Sequence, residues 1–232
     1  MIKTAVILAG GLGTRLAPYT LTIPKPLVPI CGEPIIEIII RRLVAEGITD
    51  IHIALNHMAS YISAFLGNGD KYNATIKYNH ENMQLGTVGP LAQIDDLPNS
   101  FFVLNGDLLM NLSFKELFKS HQKANCQLTV GVNKREKNID YGVIHLDENQ
   151  NIVRFEEKPT IEYKVSMGVY VFEKNLINSI PKNKYFGFDQ LIHQMIRQKL
   201  KINTYLHDGY WLDIGRPDDY ERANRDYKSL QI

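Results

Sequence analysis

The sequence predicts an α/β protein with a Rossmann-like, mostly parallel sheet flanked by helices, together with a smaller strand-rich lobe. In the first half, apolar runs typical of buried strands alternate with helical patterns, which indicates parallel strands joined by right-handed crossovers. In the second half, strand patterns follow one another without long helices between them. The chain is therefore expected to form a layered α/β sheet whose second half is richer in strands.

The first half reads as alternating strands and helices. The expected strands are 2–8, 48–55, 74–79 and 101–104, and the expected helices are 34–46, 58–66, 86–97 and 113–123. Pro34 suits a first helical turn, and Gly47 suits the residue after a last one. Ser113 and Glu116 occupy the positions of a capping box.

The second half contains more strands than helices. Strands are expected at 126–133, 142–146, 152–156, 165–172, 203–206 and 210–213, with a helix at 188–199 and a last helix around 220–223. We expect one domain over 1–232, divided into a first half, 1–125, with the strand–helix alternation typical of nucleotide-binding folds, and a second half, 126–232.

Composition excludes several classes of protein. The 232 residues are 44% hydrophobic and 22% charged, with a net charge of +1, so no overall field attracts nucleic acid or an anionic membrane. No apolar run approaches the ~20 residues of a membrane span, and the N-terminus lacks the pattern of a signal peptide. Cys31 and Cys126 lack metal-type spacing, and we expect both to be buried. A cytoplasmic protein is expected.

A glycine-rich loop follows the first strand. Gly10, Gly11 and Gly13 leave backbone N–H groups free to face a ligand, and phosphate suits such a loop best. Arg15 can bind two phosphate oxygens at once, and Lys25 between two prolines adds a second positive charge. The third glycine of a dinucleotide-binding motif and the lysine pattern of a P-loop are both absent from the sequence. The alternative is a tight turn with an ordinary surface arginine and lysine.

Two further strand ends carry polar residues. Asn105, Gly106 and Asp107 follow an apolar run, and ligands of parallel sheets bind beyond the carboxyl ends of strands. A carboxylate there suits Mg²⁺, which binds one or two carboxylates plus substrate phosphates. The alternative is an aspartate that caps the next segment.

Gln84, Gly86 and Thr87 follow the third strand. The glutamine amide can read the edge of a base, and the small Gly86 would let the flat base approach. The alternative is a plain helix start with Thr87 as its cap.

The pair G-G-x-G-T-R-L and P-K-P resembles the signature of sugar-1-phosphate nucleotidyltransferases, and Q-L-G-T-V-G resembles the mannose-1-phosphate guanylyltransferase branch. The resemblance implies that Arg15 binds the pyrophosphate side, that Lys25 binds the α-phosphate and the attacking oxygen, and that Asp107 holds Mg²⁺ with Asp213. The residues it implies for nucleotide binding are Leu8, Ala9, Gly10, Gly11, Gly13, Thr14, Gln84, Gly86, Thr87, Asn105 and Gly106.

The second half resembles the sugar-phosphate-binding half of the same family. The resemblance rests on a Y-G pair, an E-K-P run, a G-x-Y-x-F strand and a late W-x-D-x-G segment. The implied sugar-phosphate residues are Tyr141, Gly142, Glu157, Lys158 and Gly168. Where the family usually has N-x-G or N-A-G, this chain has Ser166-Met167-Gly168.

The resemblance implies transfer of a nucleotidyl group from an NTP, with GTP favoured, to a sugar 1-phosphate for the synthesis of glycan precursors. Uridylyl, thymidylyl or cytidylyl transfer, or a non-catalytic regulatory paralogue, are the alternatives. The expected cofactor is Mg²⁺, and the expected partners are these substrates, without nucleic acid or membrane and compatible with a homo-oligomer. Because Asp107 and Asp213 would share one ion, we expect their Cα atoms to lie within about 12 Å.

Overall fold

A seven-stranded sheet forms the centre of this computed structural model, which describes residues 2–230; Met1, Gln231 and Ile232 lie outside the described residues. The strands are β1 (Thr4–Leu8), β2 (Pro29–Ile30), β3 (Glu33–Pro34), β4 (Asp50–Leu55), β5 (Thr75–His80), β6 (Ser100–Asn105), β7 (Leu108–Met110), β8 (Leu128–Asn138), β9 (Val143–Leu146), β10 (Ile152–Glu156), β11 (Thr160–Glu173), β12 (Ile202–Leu206) and β13 (Trp211–Asp213). The helices are α1 (Ile35–Ala45), α2 (Ala59–Leu66), α3 (Phe114–Ala124), α4 (Lys174–Ile177), α5 (Phe188–Arg197) and α6 (Pro217–Tyr227).

The central sheet has the strand order β12-β8-β11-β6-β1-β4-β5. β1 is parallel to both β4 and β6, β4 is parallel to β5, and β12 is parallel to β8. β11 is antiparallel to its two neighbours and joins the two halves of the chain into one sheet. The expected mostly parallel α/β fold is confirmed.

Both faces of the sheet are buried. In β6, Phe102 and Leu104 pack with the helices on one face, and Phe101 and Val103 pack on the other. Continuous apolar strands are typical of a parallel sheet covered on both sides. The residues of β1 are buried in the same way, with Ala5, Val6 and Ile7 inaccessible to solvent, as their continuous apolar run predicted.

Most element boundaries agree with the sequence prediction to within two residues. α1 begins directly after Pro34, and the Ser113 hydroxyl accepts a hydrogen bond from the Glu116 N–H at 3.4 Å, as its capping position predicted. No helix among residues 2–230 is long and apolar enough to cross a membrane.

The expected helix over 86–97 is wrong, because only a 3₁₀ turn forms there, from Gly89 to Gln93. The N–H groups of Val88 and Gly89 both donate to the Phe186 carbonyl, so they are not available to an α-helix. Gly86 has a φ of +77°, and Pro90 lacks an N–H, which further excludes a regular helix.

The strand-rich lobe is a two-stranded arm that extends from the sheet. β8 continues five residues past its expected end, and β11 begins five residues before its expected start, so that Asn138 pairs with Thr160. The hairpin of β9 and β10 connects the two strands at this tip. Large apolar side chains of the arm are exposed, among them Ile144, Ile152 and Phe155.

The expectation that both cysteines are buried is wrong. Cys31 is exposed because it lies in the tight turn between β2 and β3, with a φ of +50°. Cys126 is partly exposed at the start of β8.

Candidate active site

A cleft of about 430 Å³ opens at the carboxyl end of the parallel strands. Segments that follow β1, β4, β5 and β6 form its walls, which is the usual position of a ligand site in such a sheet. The predicted residues that line this cleft are Leu8, Ala9, Gly10, Gly11, Gly13, Thr14, Arg15, Lys25, Gln84, Gly86, Thr87, Asn105, Gly106 and Asp107. The structure therefore brings the whole predicted nucleotide set together in one cavity.

The three loop glycines have different physical roles. A Cβ atom on Gly10 would lie 2.8 Å from Glu81 Oε1 and 3.2 Å from Asn56 Cβ, so a larger residue there would displace the Glu81 side chain. Gly13 has a φ of +66°, and its Cβ atom would lie 3.0 Å from Lys25 Cβ. A Cβ atom on Gly11 would meet open space, which means that Gly11 leaves backbone surface free for a ligand.

Lys25 lies against the loop and forms an ion pair with Asp107. It is only 9% exposed and lies in a 3₁₀ turn, 25–27, that Pro24 caps and Pro26 stiffens. A buried lysine requires a charged partner, which Asp107 Oδ2 provides. The ammonium group is therefore held at the edge of the cleft before a ligand binds.

Asp107 and Asp213 are neighbours although 106 positions separate them. Asp213 pairs with Leu108 across the antiparallel ladder of β7 and β13, and the Ile214 N–H donates to the Asp107 carbonyl at 3.0 Å. Paired Cα atoms in such a ladder lie about 5 Å apart, and Asp107 directly precedes Leu108. The Cα atoms of the two aspartates therefore lie within the expected limit of about 12 Å. Burial, and then the negative charge of Asp107, raise the pKa of the Asp213 carboxyl.

The two carboxyl groups fit a hard divalent cation. Asp107 Oδ1 and Asp213 Oδ1 are buried and accept no hydrogen bond from the described residues. Buried oxygens without a donor are costly, and a cation would satisfy both of them. No cluster of three or more His, Cys, Asp or Glu side chains suitable for a metal occurs within 2–230, so further ligands would come from water or a substrate. This arrangement matches Mg²⁺, which binds few carboxylates together with phosphates.

Arg15 lies on the same side of the cleft. Its guanidinium Nη2 would be 3.7 Å from a Cβ atom on Gly215, and Asp213 Oδ1 would be 3.8 Å from the same point. Arg15 is exposed, so its five donors are free to bind a ligand. Lys25 and Arg15 thus supply two positive charges around the pair of aspartates.

The opposite wall is built from the segment after β5. Gln84 and Thr87 are exposed to the cleft, and Tyr185 lies beside them with 61% of its surface exposed. Gly86 lines the cleft, as predicted. A Cβ atom at this position would also lie 2.9 Å from the Phe186 carbonyl, so the fold itself favours glycine here.

Glu81 lies at the base of this wall. Its carboxylate accepts the Leu85 N–H at 3.3 Å, and burial raises the pKa of Glu81 above its ordinary value. A carboxylate in such a place can accept hydrogen bonds from two adjacent N–H donors of a ligand.

The predicted sugar-phosphate residues do not line the cleft. Tyr141, Gly142, Glu157 and Lys158 lie at the base and ends of the hairpin formed by β9 and β10, and Tyr141 is 79% exposed. Gly168 instead packs against Asn105, whose Nδ2 would lie 2.5 Å from its Cβ position.

The cleft residues that the predicted site set left out include Asn56, Glu81, Tyr185 and Gly215. Asn56 and Glu81 each follow directly after a parallel strand, a signal that could have identified them. Tyr185 precedes α5 by a few residues, and no local pattern points from it to a wall about 100 positions earlier.

The comparisons with known proteins agree with this geometry. A model of the nucleotidyl transferase family matches residues 4–229. The mannose-1-phosphate guanyltransferase of Hypocrea jecorina is 36% identical over 226 residues, covering 93% of this chain and 61% of that protein. A catalytic beta subunit of mannose-1-phosphate guanylyltransferase from Dictyostelium discoideum is 34% identical over 223 residues, covering 93% of this chain and 62% of that protein. The chain thus spans less than two thirds of the length of these relatives.

Solved structures show the same fold. HddC from Yersinia pseudotuberculosis superposes with a TM-score of 0.76 at 28% identity, covering 97% of this chain and all of that one. The same protein complexed with GMP-PN gives a TM-score of 0.75 at 27% identity. The glycine loop, Arg15, Lys25 and Asp107 line one cleft, and Asp213 lies beside Asp107 without lining it. With this arrangement and a family match over nearly its whole length, the chain belongs to the nucleotidyl transferase family.

Proposed function

We propose that the protein transfers the guanylyl group of GTP to a sugar 1-phosphate, giving a GDP-sugar and pyrophosphate for glycan precursor synthesis. The observation that carries this proposal is the convergence of the glycine loop, Arg15, Lys25 and the Asp107–Asp213 pair at one end of the sheet. The relatives named as guanylyl transferases support the choice of reaction.

The chemistry requires two anions to be held together. An oxygen of the sugar phosphate attacks the α-phosphorus of the nucleotide, and the bond to pyrophosphate breaks as the new P–O bond forms. Neither reactant needs a covalent enzyme intermediate, so orientation and charge stabilisation supply the rate enhancement. The free backbone at Gly11 and the N–H groups of the loop are suited to the triphosphate.

The two basic side chains take different parts of the reaction. Arg15 is exposed and planar, which suits the leaving pyrophosphate. Lys25 is held in place by Asp107 and by its proline-rich turn, which suits the α-phosphate and the attacking oxygen. Its ammonium group would exchange part of its contact with Asp107 for the incoming phosphate.

Asp107 and Asp213 would hold the Mg²⁺ ion through oxygens that accept no hydrogen bond from the described residues. When bound, the ion would supply positive charge to the phosphate oxygens. It would also remove the electrostatic conflict between the two carboxylates, so metal and nucleotide should bind together.

Guanine suits the wall opposite the aspartates. Guanine presents adjacent N–H and NH₂ donors on one edge, and the Glu81 carboxylate is placed to accept from both. The exposed ring of Tyr185 offers a face on which a base can stack. Uracil and thymine present one such donor, and adenine lacks this pair.

The sugar phosphate is assigned to the arm by resemblance. Tyr141, Glu157, Lys158 and Gly142 would have to face the cleft from the base of the β9–β10 hairpin, while Gly168 supports Asn105 at its edge. A regulatory paralogue that binds without turnover is the second candidate, and the presence of Arg15, Lys25 and both aspartates disfavours it.

The deciding experiment measures pyrophosphate release for each nucleoside triphosphate against a panel of sugar 1-phosphates, with and without Mg²⁺. We expect turnover with GTP above the other nucleotides, and with Mg²⁺ only. Arg15→Gln should lower kcat by about 10²–10³-fold without lowering Tm, because the side chain stabilises charge in the transition state.

Arg197→Gln is the matched control, since Arg197 is an exposed arginine at the end of α5 and outside the cleft. Pyrophosphate release should be unchanged in that variant. Binding of GTP without release for every sugar phosphate would favour the regulatory alternative, and preference for another nucleotide would overturn the choice of guanine.

A further inference from the structure

A second cluster of reactive side chains lies at the end of the sheet opposite the cleft. Ser100, the first residue of β6, pairs with Glu173, the last residue of β11. The cleft lies at Asn105, five residues further along β6, which is roughly 17 Å away at the rise of a β-strand. The cluster consists of Cys126, His121 and Glu173, and none of these residues takes part in the proposed nucleotidyl transfer.

The three side chains are arranged as thiol, imidazole and carboxylate. Cys126 Sγ lies 3.6 Å from His121 Nδ1, and His121 Nε2 lies 3.0 Å from Glu173 Oε1. His121 is 3% exposed and is fixed on both ring nitrogens. This order of groups is the one that activates a nucleophile through a base that a third group orients.

Thr129 connects the sulfur to the imidazole. Its hydroxyl is fully buried, 2.8 Å from His121 Nδ1 and 3.4 Å from Cys126 Sγ. With the thiol protonated, the S–H donates to the Leu128 carbonyl at 3.2 Å. These contacts offer a route for the thiol proton to His121 Nδ1 by way of the Thr129 hydroxyl, with the Glu173 carboxylate at the other ring nitrogen.

A cavity of about 500 Å³ opens beside the thiol. Its lining is mostly polar and includes Gln122, Asn125 and Gln127. The titratable groups that line it are Cys126, His121 on α3, Glu173 at the end of β11, and Lys201 before β12. Lys201 donates to the Ala124 carbonyl and supplies positive charge at the rim. The cavity therefore suits a small, polar molecule, and Lys201 is the group in its lining that can pair with a carboxylate of that molecule.

We propose that Cys126 is a thiol-modification site that forms a mixed disulfide with a small anionic disulfide of the glutathione class. The Cys126 thiolate attacks one sulfur of that disulfide, so a new S–S bond forms as the existing one breaks. The departing thiolate takes the proton that the imidazolium held. One protein thiol and one small disulfide give one mixed disulfide and one small thiol, and no other oxidant is consumed.

The chain contains its own control, because it has two cysteines. Cys31 is exposed, and its thiol donates to the Asn224 carbonyl at 3.2 Å. Its contacts supply neither an imidazole nor an ammonium group, so it represents an ordinary accessible thiol.

The experiment compares the two cysteines in separate proteins, Cys31→Ser and Cys126→Ser. Each folded protein is treated with oxidised glutathione and, separately, with iodoacetamide from pH 5 to 9, and modification is followed by intact mass. We expect Cys126 to react at least about 10-fold faster than Cys31 at pH 6 despite its lower exposure.

Two variants in the Cys31→Ser background test the positioning roles. His121→Gln and Glu173→Gln should each lower the reaction rate of Cys126 at pH 6, and Glu173→Gln keeps a hydrogen-bond acceptor for His121. Tm is measured for each, and Glu173→Gln decides the question if His121→Gln does not fold. A Cys126 rate no higher than that of Cys31 at pH 6, or a rate unchanged in Glu173→Gln, would overturn the proposal. Failure here leaves the proposed nucleotidyl transfer untouched, because pyrophosphate release should be equal in Cys126→Ser and the parent protein.

Discussion

At the scale of single residues, Asp213 lowers the stability of the free protein and provides an oxygen that could bind a cation. Its carboxyl group is mostly buried, next to Asp107, and one of its oxygens accepts no hydrogen bond from the described residues. Burial and the neighbouring charge raise the pKa of Asp213 above its ordinary 3.8. The free protein therefore holds this carboxylate in an unfavourable state that a cation would relieve.

The sign of the pH effect follows from the raised pKa of Asp213. The folded state binds the Asp213 proton more tightly than the unfolded state does. Protonation of Asp213 therefore makes its full contribution to stability when the pH is below the pKa that Asp213 has in the unfolded chain. That contribution is lost as the pH rises through the higher pKa of the folded protein. Asp213→Asn should therefore raise the Tm of the metal-free protein at pH 7 and remove that part of its pH dependence, while it lowers turnover.

Thermal melts from pH 4 to 8 without metal measure this effect. Asp208→Asn, at an exposed aspartate outside the cleft, is the control and should leave the melting curve nearly unchanged. A lower Tm for Asp213→Asn at pH 7 would show that this carboxylate stabilises the free protein instead.

At the scale of elements, the turn after β5 is held by backbone hydrogen bonds to a distant loop. Phe186 N–H donates to the Leu85 carbonyl at 2.8 Å, and the Phe186 carbonyl accepts from Val88 and Gly89. Gly86 has a φ of +77° between these contacts. The segment that forms one wall of the cleft therefore depends on tertiary contacts and not on a helix of its own.

Gly86→Val should lower Tm, because a β-branched residue at positive φ is strained and its Cβ atom would approach the Phe186 carbonyl. Strain of this kind costs on the order of 1–3 kcal/mol. For a domain of this size that corresponds to a fall in Tm of roughly 2–4 °C per kcal/mol. Differential scanning fluorimetry measures the change.

Gly11→Val provides the comparison, because a Cβ atom there meets open space and the backbone is not left-handed. That variant should keep its Tm and lose affinity for nucleotide in calorimetry. If Gly86→Val kept the parent Tm and lost only nucleotide affinity, Gly86 would serve to admit the ligand and would not be needed for the turn to fold.

At the scale of the whole molecule, the site exists because β7 and β13 pair. This short ladder lies outside the seven-stranded sheet and carries Asp213 to the residue beside Asp107. Two carboxylates that act through one ion should not contribute independently. β7 and β13, which lie about 100 positions apart in the chain, must therefore pair before the proposed metal site is complete.

Asp107→Asn and Asp213→Asn should each raise the Mg²⁺ concentration needed for half-maximal pyrophosphate release. The double variant should lose less activity than the product of the two single losses, because the second change removes a ligand from a site already weakened. Asp213→Asn combined with Gln84→Ala, on the opposite wall, is the additive control. If the activity loss of the double aspartate variant equalled the product of the two single losses, the two aspartates would have separate roles.

The local sequence was sufficient for elements whose signals lie close together. The Ser113 cap, the start of α1 after Pro34 and the buried β1 run each depend on residues within a few positions. The run 86–97 was misread because its apolar spacing resembles a helix, whereas its N–H groups donate to a loop nearly 100 positions away. Local patterns carry no information about such a partner.

By itself, the sequence determined the α/β class, the glycine loop with Arg15 and Lys25, and the strand ends that carry functional groups, because these depend on periodicity and on short motifs. Only the tertiary structure decided which groups meet: Lys25 with Asp107, Asp213 beside both, and Tyr185 in the same wall as Glu81. It also produced the Cys126–His121–Glu173 cluster from α3, the turn before β8, and β11. The physical reason is that charge, burial and hydrogen bonding act over a few ångströms in space, whatever the separation along the chain.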